Sequence, residues 1–166
     1  NDGGLSDEQP EEPVETTATY ALATGIVSGS KYVIATKTSG NAYAVATPLG
    51  ETQNYGFLQT ADATLSNNSL QTVEDNEFTI TEVSGGYTIQ DKYGRYYYMD
   101  GTFNNFNVAT DMPSSAAVFE ITFNSDNTVS IKNIEKGKTL QYDEGYNSYG
   151  IYEDVTHQLP SLFVKK

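Results

Sequence analysis

The segment "GRYYYMDGTFNNFNVAT", residues 94–110, places aromatic rings beside amide and carboxylate side chains. An exposed ring stacks on the face of a sugar, while Asn, Asp and Gln side chains bind the sugar hydroxyl groups. Residues 142–147 repeat this combination of tyrosine with Asp and Asn. These residue types predict a carbohydrate-binding surface; the alternative interpretation is that the tyrosines cover a β-sheet. The candidate ligand-binding residues are Tyr93, Tyr96, Tyr98, Asp100, Phe103, Asn104, Tyr142 and Tyr146.

Groups suited to catalysis or metal binding are scarce. His157 is the one histidine and the chain has no cysteine, so we expect no metal ion, no cofactor and no thiol chemistry. Glycosidases use two carboxylates, but acids in hairpin tips are more often solvated than catalytic. We therefore predict that the chain is not an enzyme. The carboxylates considered for such a pair are Asp100, Asp143, Glu144, Glu153 and Asp154.

The formal net charge of −13 is unevenly distributed, since residues 1–17 carry six acids and no base. Phosphate backbones and anionic membranes are bound by clustered Lys and Arg, so nucleic acid is not an expected partner. The N-terminal segment is rich in Pro, Gly and acids and has little to bury. We predict an acidic disordered linker over residues 1–18 and a single domain over residues 19–166.

A short amide–polar–aromatic motif occurs three times, as "QNYGF" (53–57), "NNFNV" (104–108) and "NSYGI" (147–151). A position repeated in this way is typical of a core, so we expect these three rings to pack inside the domain. The next residue of each motif is Gly or Asn, which most readily adopts a left-handed backbone. The rings are Tyr55, Phe106 and Tyr149, and the residues after them are Gly56, Asn107 and Gly150.

Alternating apolar residues also recur three times, in residues 30–36, 85–91 and 127–133. Each unit opens on an aromatic–x–apolar pair, near residues 20, 78 and 119, and residues 60–77 read as a loop inserted into the first unit. In the second unit, alternation directs Tyr97 and Met99 inward and leaves Tyr96 and Tyr98 outside. The four predicted strands of that unit are Phe78–Val83, Gly86–Asp91, Tyr96–Asp100 and Phe106–Thr110.

These patterns predict an all-β fold, because no helical periodicity extends over ten residues. Three units of four strands give the strand number of a β-trefoil, in which a six-strand barrel is capped by three hairpins around a pseudo-threefold axis. A β-sandwich of two related halves is the alternative.

The opening segment, "KGKTLQYDEGYNSYGIYE" (136–153) and "LPSLF" (159–163) together resemble domains of secreted or surface lipoproteins of gut Bacteroidetes. The acidic N-terminal segment is similar to the linkers that follow the lipid-carrying cysteine of bacterial surface lipoproteins. The resemblance covers residues 78–163. It implies export, a lipid anchor on a cysteine before Asn1 and a non-catalytic accessory role, and it supplies no functional residues.

The leading hypothesis is a non-catalytic binding module for a glycan, extracellular or on the outer-membrane surface. Its contact with a membrane would be only through an N-terminal lipid anchor outside this sequence. The alternative is a structural or protein-interaction domain that docks another surface protein, with residues 60–77 as the contact surface.

Overall fold

Antiparallel β-structure dominates the computed structural model, which describes residues 15–100 and 103–166. Two short 3-10 turns, Glu74–Asn76 and Ser115–Ala117, are the helical elements of this part of the chain. The expected all-β fold is therefore confirmed. The strands are β1 (Thr17–Leu22), β2 (Ser30–Ser39), β3 (Ala42–Ala46), β4 (Tyr55–Gly56), β5 (Thr60–Thr64), β6 (Ser69–Val73), β7 (Phe78–Val83), β8 (Gly86–Gln90), β9 (Tyr96–Tyr98), β10 (Phe106–Ala109), β11 (Phe119–Phe123), β12 (Val129–Asn133), β13 (Lys138–Asp143), β14 (Ser148–Tyr152) and β15 (Ser161–Lys165).

The strands form three antiparallel four-strand meanders. Two follow chain order, β7–β8–β9–β10 and β11–β12–β13–β14, whereas the third is β15–β2–β3–β5. The first two strands of each meander pair an isoleucine with an aliphatic residue, at Ile89↔Ile80, Ile131↔Ile121 and Ile34↔Leu162. Directly opposed residues share a face of the sheet, and all three pairs point into one apolar cluster.

The meanders are joined edge to edge by their first two strands. Tyr32 on β2 pairs with Phe78 on β7, and Tyr87 on β8 pairs with Phe119 on β11. The N–H of Val129 on β12 donates to the carbonyl of Pro160, one residue before β15, at 2.8 Å. Five strand pairings link β15, β2, β7, β8, β11 and β12, in that order, into a curled sheet, and the hydrogen bond from Val129 brings its two ends together. We call these six strands the ring.

The strand that opens the first meander differs from the prediction. We expected the pair Tyr20 and Leu22 on β1 to open it, but β15, from the opposite end of the sequence, occupies that position. β1 lies outside the ring, between β15 and β6. Residues 60–77 are not an inserted loop either, because β5 pairs with β3 and β6 pairs with β1.

The first strand begins inside the segment that we predicted to be a linker, residues 1–18. β1 begins at Thr17, and Thr17 and Ala18 pair with Val73 and Thr72 on β6, although both residues were assigned to the linker. The rest of the predicted linker, residues 1–14, lies outside the described residues. No helix in the described ranges is long and apolar enough to cross a bilayer.

The core confirms the predicted faces of β9, since Tyr97 and Met99 are buried while Tyr96 and Tyr98 are only partly covered. Phe106 and Tyr149 are buried as expected. The prediction for Tyr55 is wrong, because 67% of this residue is exposed.

Leu58 takes the inward position that was expected of Tyr55. It is buried, and its backbone exchanges two hydrogen bonds of 2.9 Å with Tyr149. The buried position of the first unit therefore lies three residues after the position that the motif suggested.

The predicted backbone at the motif is right at Gly56, whose φ is +151°, and wrong at Asn107 and Gly150, whose φ is not positive. Within "NSYGI" the left-handed residue is Asn147, with φ +51°. Position 150 requires glycine for a different reason, because there is no room for a side chain. A Cβ there would lie 2.7 Å from the Tyr152 hydroxyl and 3.0 Å from the Asn104 carbonyl oxygen.

Candidate functional site

A groove of about 980 Å³ opens where β10 lies between β4 and β9. Asn107 on β10 stands opposite Tyr55 on one side and Tyr98 on the other, so these three side chains share one face of the sheet. The segment that enters β10 forms the other wall of the groove. Its lining residues are Tyr55, Gly56, Phe57, Asp100, Phe103, Asn104, Asn105 and Asn107.

Three aromatic side chains of this groove face solvent. Phe103 is 77% exposed, Tyr55 is 67% exposed and Phe57 is 43% exposed. Tyr55 and Phe57 are two residues apart and both line the groove, whereas the next residue, Leu58, points into the core. Apolar rings grouped in a concave surface are typical of a binding site.

Amide and carboxylate groups lie between these rings. Asn104, Asn105 and Asn107 each carry a donor and an acceptor on one side chain, and Asp100 adds an acceptor. Neighbouring hydroxyl groups on a sugar ring offer the complementary donors and acceptors. The Asn104 side chain also accepts a hydrogen bond from the Lys138 ammonium at 3.4 Å, and the same ammonium donates to the Phe103 carbonyl at 3.2 Å. Lys138 thus holds this wall against β13.

A buried arginine holds the opposite wall. The guanidinium of Arg95 donates to the carbonyl oxygens of Leu49 at 2.6 Å and of Gly50 and Gln53 at 2.9 Å each. These carbonyls belong to the loop that leads directly into Tyr55. Arg95 is the residue type suited to this contact, because its planar fork presents several donors at fixed angles.

The charge of Arg95 is compensated by Asp91, which is also buried. The Asp91 carboxylate accepts from the Arg95 Nε and Nη2 at 3.0 and 2.7 Å and from the Tyr97 hydroxyl at 2.9 Å. The Tyr97 hydroxyl in turn accepts the N–H of Leu49 at 3.0 Å. Burial, followed by the negative charge of Asp91, raises the pKa of Tyr97 above its usual value. The loop before Tyr55 is therefore anchored by a fully hydrogen-bonded polar cluster in the core.

The predicted site residues are only partly brought together. Asp100, Phe103 and Asn104 line the groove, and Tyr98 borders it across Asn107. Tyr96 lies farther along β9, opposite Ala109.

Three predicted tyrosines lie elsewhere. Tyr93 sits in the β8–β9 turn beneath Lys92 and Arg95, whose cationic groups lie 5.0 and 4.9 Å from its ring centroid. Tyr146 is 83% exposed in the β13–β14 turn. Tyr142 was expected on the surface, but it is only 3% exposed, with its hydroxyl donating to Asn147 Oδ1 at 2.7 Å. The ring of Tyr142 is therefore not available to stack on a ligand.

Sequence reasoning missed four lining side chains: Tyr55, Phe57, Asn105 and Asn107. Tyr55 was assigned to the core because its motif matches those of two buried rings. The available signal was the alternation Tyr55–x–Phe57 followed by Leu58, which puts the two rings on one face and the aliphatic residue on the other.

The carboxylates considered for catalysis do not gather around the groove. Asp100 is the one acid in its lining, whereas Asp143 and Glu144 belong to the β13–β14 hairpin and Glu153 and Asp154 follow β14. No group of three metal-ligating side chains is found across residues 15–100 and 103–166.

His157 belongs to a structural cluster. Its ring lies 4.7 Å from that of Tyr152, and its Nε2 lies 3.8 Å from the Asp143 carboxylate. The N–H groups of Thr156 and His157 both donate to the buried side chain of Gln141.

The fold is similar to parts of solved structures whose proteins act on sugars or bind them. A GH43 β-1,3-galactosidase superposes on 87% of this chain with a TM-score of 0.60 and 16% identity. An endo-β-galactosidase from Clostridium perfringens that releases GlcNAcα1-4Gal superposes on 82% with a TM-score of 0.60 and 10% identity. A lectin from Polyporus squamosus, solved with the epitope Neu5Acα2-6Galβ1-4GlcNAc, superposes on 85% with a TM-score of 0.56 and 13% identity.

At these identities the likeness is one of fold. The chain spans 29% and 32% of the length of the two glycosidases and 50% of the lectin. No protein-family model matches the chain, and no curated protein matches it.

Proposed function

We propose that this chain is a non-catalytic carbohydrate-binding module and that the groove between β4, β10 and the segment before β10 is its glycan site. The proposal rests on the residue types that line the groove. Three exposed rings alternate with three asparagines and one carboxylate in a single concavity.

The chemistry of this lining suits a sugar. The C–H faces of a pyranose are apolar and pack on aromatic rings, and its edges carry hydroxyl groups that need amide partners. The volume of about 980 Å³ lies at the upper end of the range for small-molecule sites, which is about 300–1,000 Å³. An oligosaccharide therefore fits the groove better than a single sugar.

We infer a β-trefoil as the architecture of this module. Support comes from the ring of six strands, from the three equivalent isoleucine registers and from the fact that three four-strand meanders share one core. A two-sheet sandwich, the alternative from the sequence, does not require the contact between Val129 and Pro160 that completes the ring. The pseudo-threefold repeat is part of this proposal.

The proposal of a binding role without catalysis rests on the groove having one acid, since glycoside hydrolysis commonly uses two. The two glycosidases are about three times as long as this chain, so the fold they share with it is a part of each enzyme. The partial coverage of these enzymes supports an accessory role for the chain beside other protein modules. Export and a lipid anchor rest on the resemblance to surface lipoproteins and remain proposals.

Docking of another surface protein is less well supported. Residues 60–77, which were to supply the contact surface, are paired in β5 and β6.

Glycan arrays followed by calorimetry test the proposal. Arrays should include galactose- and N-acetylglucosamine-containing chains, the sugars named for the proteins of similar fold. We expect Phe103→Ala and Tyr55→Ala each to weaken binding about ten-fold, because each removes one stacking ring. Tyr146→Ala is the matched control, since it removes an equally exposed ring outside the groove. Binding to no glycan, or equal loss in the control, would reject the groove as the site.

A further inference from the structure

A second concavity of about 400 Å³ lies apart from the groove and shares no lining residue with it. Its walls come from three places far apart in sequence. These are the β2–β3 hairpin, the turn between β5 and β6, and the turn between β11 and β12 together with the segment that enters β15. We call this concavity the hairpin pocket.

Tyr43 on β3 is the aromatic residue of the apolar wall of the hairpin pocket that a ligand can reach. Its ring meets the buried ring of Phe163 on β15 edge to face, with ring centroids 5.6 Å apart. Leu22 and Leu65 extend the same wall. The Tyr43 hydroxyl is protonated at neutral pH and can donate a hydrogen bond, and burial raises its pKa further above neutrality. A sugar ring packs on a surface of this kind through its C–H groups.

Polar side chains around this wall have unused hydrogen-bonding capacity. Lys37, Asn68 and Gln158 line the pocket, and their side chains make no hydrogen bond or ion pair with another described residue. Two of them are amides, which pair with adjacent hydroxyl groups through one donor and one acceptor.

Hydrogen bonds fix the turn between β11 and β12, which forms one wall of the hairpin pocket. Asp126 Oδ1 accepts the N–H and the hydroxyl of Thr128 at 3.0 and 2.5 Å. The hydroxyl of Ser161 donates to the Asn127 carbonyl at 2.7 Å, which ties this turn to β15. A ligand would therefore meet a preformed surface, which lowers the entropy cost of binding.

We propose that the hairpin pocket is a second carbohydrate site, which takes one terminal sugar residue. Its volume is less than half that of the groove, so its ligand is smaller. The ligand class follows from the aromatic wall and the unpaired amides of this pocket alone, and the proposal stands independently of the groove. Two sites on one chain would favour branched or repetitive glycans through avidity.

Nuclear magnetic resonance titration of the full chain tests the proposal. The probes are galactose, N-acetylglucosamine and N-acetylneuraminic acid, added singly. We expect at least one of them to shift the amide signals of Lys37, Asn68, Thr128 and Gln158 saturably. These shifts should be unchanged in Phe103→Ala, which alters only the groove. The signals of Asn104, Asn105 and Asn107 report on the groove, so each site is scored separately.

Asn68→Gly is the decisive variant. Asn68 has φ +64°, which glycine adopts without strain, so the change removes the amide without disturbing the turn. We expect it to raise the dissociation constant at the hairpin pocket about five-fold, as for the loss of one neutral hydrogen bond. Asn67→Gly is the matched control, because Asn67 has φ +54° in the same turn but does not line the pocket. The proposal is overturned if no probe shifts the pocket signals, or if both variants weaken binding equally.

Discussion

Tyr149 shows how a single side chain joins distant strands. Its buried hydroxyl donates to the Ala44 carbonyl on β3 at 2.6 Å and lies 2.7 Å from the Thr36 hydroxyl on β2. Because its one proton goes to Ala44, the Thr36 hydroxyl must donate to it. The ring packs 5.2 Å from that of Tyr142. A neutral phenol satisfies all of these contacts, and a phenolate would not.

Stability at high pH is the consequence at the residue scale. Burial raises the pKa of Tyr149 above the ordinary value near 10, so the folded state holds the phenol proton more tightly than the unfolded state does. The contribution of this group to the free energy of unfolding is fully present below about pH 10. It falls by about 1.4 kcal/mol per pH unit as the pH rises towards the pKa of the folded state. We expect urea unfolding at pH 10–12 to show a shallower decline in Tyr149→Phe than in wild type.

The Tyr149→Phe variant should also lose about 1–3 kcal/mol at pH 7, because it leaves a buried carbonyl and hydroxyl unpaired. Tyr146→Phe serves as the control, since Tyr146 is exposed and its removal should leave the slope unchanged. An identical decline in Tyr149→Phe and wild type would show that this phenol does not govern the alkaline transition.

At the scale of elements, the turn between β8 and β9 positions a loop that is 42–46 residues away in sequence. Arg95 in this turn binds four carbonyls of the loop before Tyr55, and Asp91 neutralises its charge within the core. The groove wall formed by Tyr55 and Phe57 therefore depends on a cluster that does not itself line the groove.

Replacing Arg95 by lysine tests this dependence. Arg95→Lys keeps the charge but loses most of the fork of donors, so we expect about 2 kcal/mol of destabilisation in chemical denaturation. Glycan binding at the groove should weaken several-fold below the unfolding transition, because the loop is less constrained.

Lys92→Ala is the comparison for Arg95→Lys. Lys92 lies in the same turn as Arg95 and forms a surface ion pair with Asp75 on the 3-10 turn Glu74–Asn76. Its loss should cost less than about 0.5 kcal/mol, with no change in binding. Equal stability of Arg95→Lys and wild type would contradict the role assigned to the cluster.

At the scale of the whole molecule, the ring of strands is completed by the segment nearest the C-terminus. β15 pairs with β2 on one side and with β1 on the other, and it contributes the buried side chains of Leu162 and Phe163 to the two apolar clusters. Both clusters therefore include residues from opposite ends of the described chain, which favours cooperative unfolding.

Truncation after Pro160 should abolish cooperative folding. The shortened chain loses two buried side chains and leaves the edges of β1 and β2 without a partner, a loss of several kcal/mol against a typical stability of about 5–15 kcal/mol. Circular dichroism during urea unfolding would show a broad change without a sigmoidal transition. Removal of Lys166 alone is the control and should preserve the transition. A sharp transition at the wild-type midpoint in the truncated chain would refute this role for β15.

Local pattern predicted the second meander closely. The predicted strand Phe78–Val83 coincides with β7, and the other three predicted strands end within one or two residues of β8, β9 and β10. Alternation also assigned the inward face of β9 correctly. Such features depend on neighbours in sequence and on turn residues, so they can be read without knowing the rest of the fold.

The errors in side-chain burial concern contacts that the local pattern does not specify. The motif around Tyr55 is locally like those of Phe106 and Tyr149, yet only its pairing with β10 decides that Tyr55 faces the groove. Tyr142 alternates like a surface residue, but its place against Tyr149 buries it. The buried position of the first unit is Leu58, three residues after Tyr55. The ring of Tyr55 therefore lines the candidate site and does not pack in the core.

The amino-acid sequence by itself determined the all-β character, the spacing of the strands in the second meander and the supply of aromatic and asparagine side chains from which the groove is made. Only the tertiary structure decided that β15 opens the first meander and that residues 55–57 meet Asp100 and residues 103–107. The physical reason is that strand propensity and alternation are local properties, whereas strand partners are selected by the burial of apolar surface and the pairing of backbone groups over the whole chain.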